Sequence, residues 1–164
     1  MLTSSDLGAA GKREDTSGDA IVELMTAAGH SLHERRILPD EQDRLTEVMV
    51  GWCDSGAVDI VLTTGGTGLG PRDVTPEATA RVIDFQVPGI AEAMRSESLS
   101  KTPMAMISRA VAGVRGRTLV INLPGSPGGV RDNLAVVLPV LDHAVDILRD
   151  RHHGSHPIRP EQRA

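Results

Sequence analysis

Asp59-Ile60-Val61-Leu62-Thr63-Thr64-Gly65-Gly66-Thr67-Gly68-Leu69-Gly70-Pro71-Arg72-Asp73 is the stretch that decides the fold. Its first five residues form a short, β-branched run bounded by glycines, the pattern of a strand buried on both faces of a parallel sheet. A glycine loop follows from Thr64 to Asp73. Thr75 can then cap a helix and Pro76 fits its first turn, where a missing N–H costs nothing, so a helix is predicted to run to about Ile83. The same plan recurs downstream. Thr118-Leu119-Val120-Ile121 is the strongest strand signal in the chain, and it leads into Asn122-Leu123-Pro124-Gly125-Ser126-Pro127-Gly128-Gly129. A closing helix then carries Val130, Leu134, Val137, Leu138, Leu141, Val145 and Leu148 on one stripe. Pro139 predicts a kink or break in it.

Outward from these two units, apolar Ala20, Ile21, Leu24, Met25 and Ala28 recur at helical spacing before Gly29, which suits a C-terminal cap. Residues 31–38 read as a modest strand. Asp40 is placed to cap a helix presenting Leu45, Val48, Met49, Trp52 and Cys53. Another helix is predicted over 89–99. Residues 104–114 read as an extended segment joined to the strand at 118–123 by a tight Arg115-Gly116-Arg117 turn, as antiparallel neighbours. This alternation predicts an α/β fold, a three-layer α/β/α sandwich with a mostly parallel sheet and ligands at the carboxyl ends of its strands. One domain is expected over residues 1–150. Residues 151–164, with His152, His153 and His156 among Arg and Pro, are expected to be a disordered polar tail.

Composition narrows the function classes. A net charge of -5 over 164 residues, with scattered Lys and Arg, argues against a nucleic-acid partner. The single cysteine, Cys53, makes neither a disulfide nor a Cys-rich zinc site, and on the apolar face of its helix it reads as packing rather than a nucleophile. No apolar run spans a bilayer and the N-terminus lacks a signal-peptide pattern, so a cytoplasmic protein away from membranes is expected. With one Phe, one Trp and no Tyr, any nucleotide must be held by backbone and polar groups rather than aromatic stacking.

The two glycine loops are where chemistry is expected. Each joins a strand to a helix start, where free N–H groups and the helix dipole favour an anion, and glycines admit a phosphate close to the backbone. Either loop alone reads better as an ordinary turn between strand and helix. Neither is a standard nucleotide fingerprint: the first lacks the Gly-Lys-Ser/Thr ending of a P-loop, and its glycine spacing is not that of a dinucleotide site. Asp73 follows the first loop and Asp40 follows the strand at 31–38, so both carboxylates could enter one crevice and hold Mg2+ beside phosphates. Asp40 reads equally as an N-cap and Asp73 as a turn residue. Ser108, Arg109 and Asn122, near strand ends, could contact phosphate or a heterocycle.

Taken together, Thr63-Thr64-Gly65-Gly66-Thr67-Gly68, Pro71-Arg72-Asp73-Val74-Thr75-Pro76-Glu77-Ala78-Thr79, Pro88-Gly89, Ser108-Arg109 and Asn122-Leu123-Pro124-Gly125-Ser126-Pro127 resemble the Mog/MoaB family of molybdenum cofactor proteins. The likeness extends from Ser4 and Asp6, through Asp15, Ser17 and Gly18, to about Leu148. It implies a mostly parallel sheet with one antiparallel strand, assembly as a homotrimer or homohexamer, and molybdopterin adenylyltransferase activity with ATP, molybdopterin and Mg2+. It implies catalytic and metal-binding roles for Asp40 and Asp73. Thr64, Gly65, Gly66, Thr67, Gly68, Ser108, Arg109, Asn122, Pro124, Gly125, Ser126 and Pro127 fall on the family's pterin and nucleotide site. Relatives normally carry several apolar residues ahead of Leu2-Thr3-Ser4-Ser5, so the expectation is either a misassigned start or a stunted first strand. The alternative is a non-catalytic, MoaB-like molybdopterin-binding protein, with molybdate insertion, nicotinamide nucleotide salvage and a structural module ranked below it.

Overall fold

The computed structural model describes residues 1–150, and the polar tail expected at 151–164 lies outside the described residues. Six strands, β1 (Leu2–Ser4), β2 (Arg36–Leu38), β3 (Ile60–Thr64), β4 (Phe85–Gln86), β5 (Ala112–Arg115) and β6 (Thr118–Leu123), form one sheet in the order β2-β1-β3-β6-β5-β4. β2, β1, β3 and β6 run parallel, and β5 is antiparallel to both of its neighbours. The helices are α1 (Asp6–Ala9), α2 (Thr16–Ala27), α3 (Gln42–Asp54), α4 (Thr75–Val82), α5 (Pro88–Leu99) and α6 (Pro127–Leu148).

Alternation along the strands builds the three layers. Leu62, Leu119, Ile121 and Leu123 pack on one face with Ala20 and Ile21 of α2, Ala91 and Met94 of α5, and the stripe Val130, Leu134, Val137 and Leu141 of α6. Val61 and Val120 point to the other face, against Leu45, Met49, Trp52 and Cys53 of α3 and Ala78 and Val82 of α4. The β3–β6 pair carries almost no exposed side chain, which is why both runs read as continuously apolar. The expected α/β/α sandwich with a mostly parallel sheet is the fold observed.

Several expectations are corrected. The strand expected over 31–38 is paired only at Arg36–Leu38, because its neighbour β1 offers three residues, Leu2 to Ser4. That neighbour is short, as expected, yet all three of its residues are buried and it is paired on both sides. Residues 103–107 form a 3₁₀ turn rather than the start of a strand, since Thr102 accepts from the Met104 N–H and Pro103 sits in the first turn. Helix α6 runs unbroken through Pro139, which faces solvent, where the carbonyl left without a helix partner can be hydrated. Asp40 does not cap α3, whose N-cap is Glu41 without a side-chain cap bond, and Thr75 lies inside α4, after the N-cap Val74.

Cys53 is buried, as its place on the apolar face of α3 requires, and burial pushes its thiol up from 9 to about 11. Iodoacetamide at pH 8 is therefore expected to leave the native protein unmodified and to alkylate it in urea, a difference read by mass spectrometry. The shift also fixes a pH dependence. The unfolded thiol ionises first, so the neutral thiol's contribution to stability is complete below pH 9 and is lost as pH rises through about 11.

Candidate functional site

The sheet changes direction of growth between β1 and β3, since β2 lies on one side of β1 and β3 on the other. In open α/β sheets ligands bind at the carboxyl ends of the strands near such a point. The two glycine loops leave β3 and β6 side by side at that end. Thr64 Oγ1 donates to the Pro124 carbonyl at 2.6 Å, and a Cβ on Gly125 would lie 3.2 Å from Gly65 Cα. Ser17, in the first turn of α2, ties the second loop down by donating to the Gly125 carbonyl at 2.7 Å.

The first loop turns on Gly65 and Gly66, with φ of 88° and 62°. A Cβ at Gly65 would stand 2.3 Å from the Ser4 carbonyl oxygen, so only glycine lets this loop cross the end of β1. The Thr75 hydroxyl donates to the Gly65 carbonyl at 2.8 Å and its N–H to the Gly66 carbonyl at 3.1 Å, holding the loop on the start of α4. Arg109 braces the far side. Its Nε donates to the Gly68 carbonyl at 2.6 Å, its Nη2 to the Asp73 carbonyl at 2.5 Å, and its Nη1 pairs with Glu77.

The two aspartates flank this loop. Asp40 accepts from the Ser4 hydroxyl at 2.6 Å and from the Asp6 N–H at 3.0 Å, and its Oδ1 would lie 3.5 Å from a Cβ on Gly66. Asp73 Oδ2 accepts from the Gly70 N–H at 2.7 Å and would lie 3.0 Å from a Cβ on Gly68. Beside the loops opens a cleft of about 410 Å³ whose lining includes Thr67, Gly68, Ser108, Pro124 and Ser126 together with Met94, Met104 and Ile107 and the charged Arg95, Lys101 and Asp132. Asp40 and Asp73 lie outside its lining. A larger cavity, about 540 Å³, opens among Met1, His30, Trp52, Asp59 and Ile60, at the amino ends of the strands and away from both loops.

A family model described as a probable molybdopterin binding domain matches residues 1–143. The chain belongs to that family. Among curated relatives, a molybdopterin adenylyltransferase of Helicobacter pylori is 41% identical over 150 residues, covering 90% of this chain and 85% of the relative. One from Escherichia coli K12 is 38% identical over 136 residues, covering 82% and 70%. The crystal structure of the molybdopterin biosynthesis enzyme MoaB of Thermus thermophilus superposes with a TM-score of 0.85 at 50% identity, covering 91% of this chain and 94% of that one. A Mog protein from Mycobacterium ulcerans gives 0.84 at 41%, covering 90% and 95%.

Within this molybdopterin-binding fold, the sequence-predicted residues sort into three groups. Thr67, Gly68, Ser108, Pro124 and Ser126 line the cleft. Ser126 also caps α6, accepting from the Gly129 N–H at 3.1 Å, with Pro127 in the first turn. Thr64, Gly65, Gly66 and Gly125 build the crossing of the two loops. Asn122 and Arg109, expected to touch ligand, both have partners within the protein. Asn122 is fully buried, donates to the Thr63 and Thr79 hydroxyls at 2.9 and 2.8 Å, and accepts from the Val111 N–H at 3.1 Å. Its amide ties β6 to β3, α4 and the approach to β5, and so fixes where both loops begin.

Sequence reasoning gives Ser4, Asp6 and Arg72 no role in the site, yet all three sit at its edge. Arg72 donates to Asp6 at 2.8 and 3.1 Å and holds its carboxyl below the usual carboxylate range. The available signal is positional: Ser4-Ser5-Asp6 leaves β1 as Thr64-Gly65 leaves β3, at the same end of the sheet.

Proposed function

We propose that this chain is a molybdopterin adenylyltransferase, a cytoplasmic enzyme working as a homotrimer or homohexamer on ATP and molybdopterin. The observation that carries the reading is the flanking of one amide-lined glycine loop by Asp40 and Asp73, beside a second loop that opens helix α6. The names of the curated relatives support it.

In the reaction, an oxygen of the molybdopterin phosphate attacks the α-phosphorus of ATP. The new P–O bond forms as the bond to the β-phosphate bridging oxygen breaks, giving adenylyl-molybdopterin and pyrophosphate. Such transfers depend on positioning and charge neutralisation rather than covalent help from the protein. The amides of the two loops and the N-terminus of α6 face the phosphates. Met94, Met104 and Ile107 contribute apolar surface to the cleft beside them.

The donor set fits Mg2+, a hard cation that binds one or two carboxylates and completes its shell with phosphate and water oxygens. Asp73 has one oxygen engaged by the Gly70 N–H and the other without a partner among the described residues. Both oxygens of Asp40 already accept hydrogen bonds. Asp73 is accordingly the principal metal ligand and Asp40 its assistant. Among the described residues no group of three His, Cys, Asp or Glu side chains could hold a metal unaided, in keeping with a cation that arrives with its nucleotide. When bound, Mg2+ would neutralise the phosphate oxygens during attack.

ATP turnover in Mg2+ is expected to release pyrophosphate only when molybdopterin is present, with the adenylylated pterin detected by mass. Tight pterin binding without product would move the chain to the non-catalytic reading.

A further inference from the structure

Asp6 belongs to neither glycine loop, yet it touches both carboxylate-bearing segments. Its N–H donates to Asp40 Oδ2 at 3.0 Å, and its own Oδ1 accepts from the Asp40 N–H, also at 3.0 Å. The same carboxylate receives the fork of Arg72, with Nη2 2.8 Å from Oδ1 and Nε 3.1 Å from Oδ2. Arg72 is covalently next to Asp73. A continuous path therefore runs Asp40, Asp6, Arg72, Asp73, joining the turn after β2 to the loop after β3. Arg109 grips the same loop from its other side, at Gly68 and Asp73, and its bonds do not reach Asp40.

The Asp6–Arg72 pair is about half exposed, at 45% and 58%. As a plain surface salt bridge it would be worth little and would move nothing beyond its own two side chains. Its fork geometry and the reciprocal bonds to Asp40 give it another capacity, which is to hold two chain segments in one relative placement.

We propose that Asp6 is a positioning residue for adenylyl transfer, fixing through its pairing with Arg72 the separation between Asp40 and Asp73. The proposal rests on the functional reading above. Asp6 touches no reacting atom in it; it acts through Asp40 and through the backbone of Arg72.

The test has two arms on the full chain. In the substrate-free protein, Arg72→Gln is expected to speed hydrogen exchange at the Asp6 and Asp40 amides, whose hydrogen bonds do not involve Arg72. Changes confined to residues 70–73 would overturn the proposal. In steady-state kinetics, Asp6→Asn and Arg72→Gln are each expected to lower kcat about tenfold, with KM for ATP changed by no more than about twofold and with the Mg2+ needed for half activation raised. The double variant should be no slower than the worse single one, and Arg72→Lys, which keeps the charge, should recover part of the rate. Losses that multiply in the double variant would show two independent residues and sink the idea. Absence of product from the wild type would bring down the functional reading instead, while the exchange arm, which uses no substrate, still decides the linkage.

Discussion

Asp73→Asn is expected to fold normally and to make adenylylated pterin about a hundredfold or more slowly, the scale of losing one charge-stabilising group in a phosphoryl-type transition state. The substitution keeps what the fold needs. An asparagine carbonyl can still accept from the Gly70 N–H, which Asp73 Oδ2 does at 2.7 Å, so the turn survives. The fit is close, since Cβ atoms on Gly70 and Gly68 would lie 2.8 and 3.0 Å from that oxygen, and only an isosteric change tests the charge cleanly. What is lost is the negative charge on whichever of the two loop-flanking aspartates, Asp40 and Asp73, has an oxygen left to offer a cation, namely Asp73. Product is measured by mass alongside a melting curve, and a full rate in a normally folded variant would remove Asp73 from its assigned role. Asp40→Asn is a poorer probe. Asp40 accepts from two donors, Ser4 Oγ and Asp6 N, and an amide that keeps the Asp6 bond must donate its NH2 to Ser4 Oγ, reversing that bond, so stability and catalysis change together.

Gly65→Ala is expected to destabilise the protein by roughly 3 kcal/mol and to lower its melting temperature by roughly 10 °C. Two costs combine. The residue holds φ at 88°, where an L side chain is strained, and the new methyl would meet the Ser4 carbonyl at 2.3 Å. That neighbour is backbone of a strand paired on both sides, which cannot rotate away as a side chain could. Relief must come from moving either β1 or the loop, and each carries part of the site: Ser4 binds Asp40, and the loop ends in Asp73. Thermal unfolding followed by circular dichroism checks the value. A melting temperature within a degree or two of wild type would mean that the loop crosses β1 with more room than these distances allow.

The sequence displays the layers plainly because the strands that decide them, Ile60–Thr64 and Thr118–Leu123, are apolar on both faces and each ends in a glycine loop. Where sequence and structure part, the missing information is mostly non-local. Residues 31–38 cannot be trimmed to Arg36–Leu38 without knowing that the neighbouring strand offers three residues. Thr102-Pro103 does carry a local helix-start signal, outweighed by the apolar run behind it. In the site, Asp40 and Asp73 stand where their position after strand and loop puts them. Asn122 and Arg109 have the right chemistry for a ligand, but their polar groups are engaged by partners up to 59 and 41 residues away, Thr63 and Gly68. Asp6 and Arg72 are 66 residues apart, and nothing in one stretch announces the other.

The pairing of β3 with β6 has a consequence for how the molecule is made. Ile60 faces Leu119 across the centre of the sheet, and Thr64 donates to a carbonyl 60 residues further on. A nascent chain leaving the ribosome therefore carries an apolar strand and its glycine loop through much of its synthesis with the principal partner still unmade. Contacts this far apart in sequence slow folding and leave unpaired strand edges open to other chains meanwhile. The step that buries that edge is the same one that brings the two loops together, so a chain interrupted before Pro124 would be both prone to self-association and without a site.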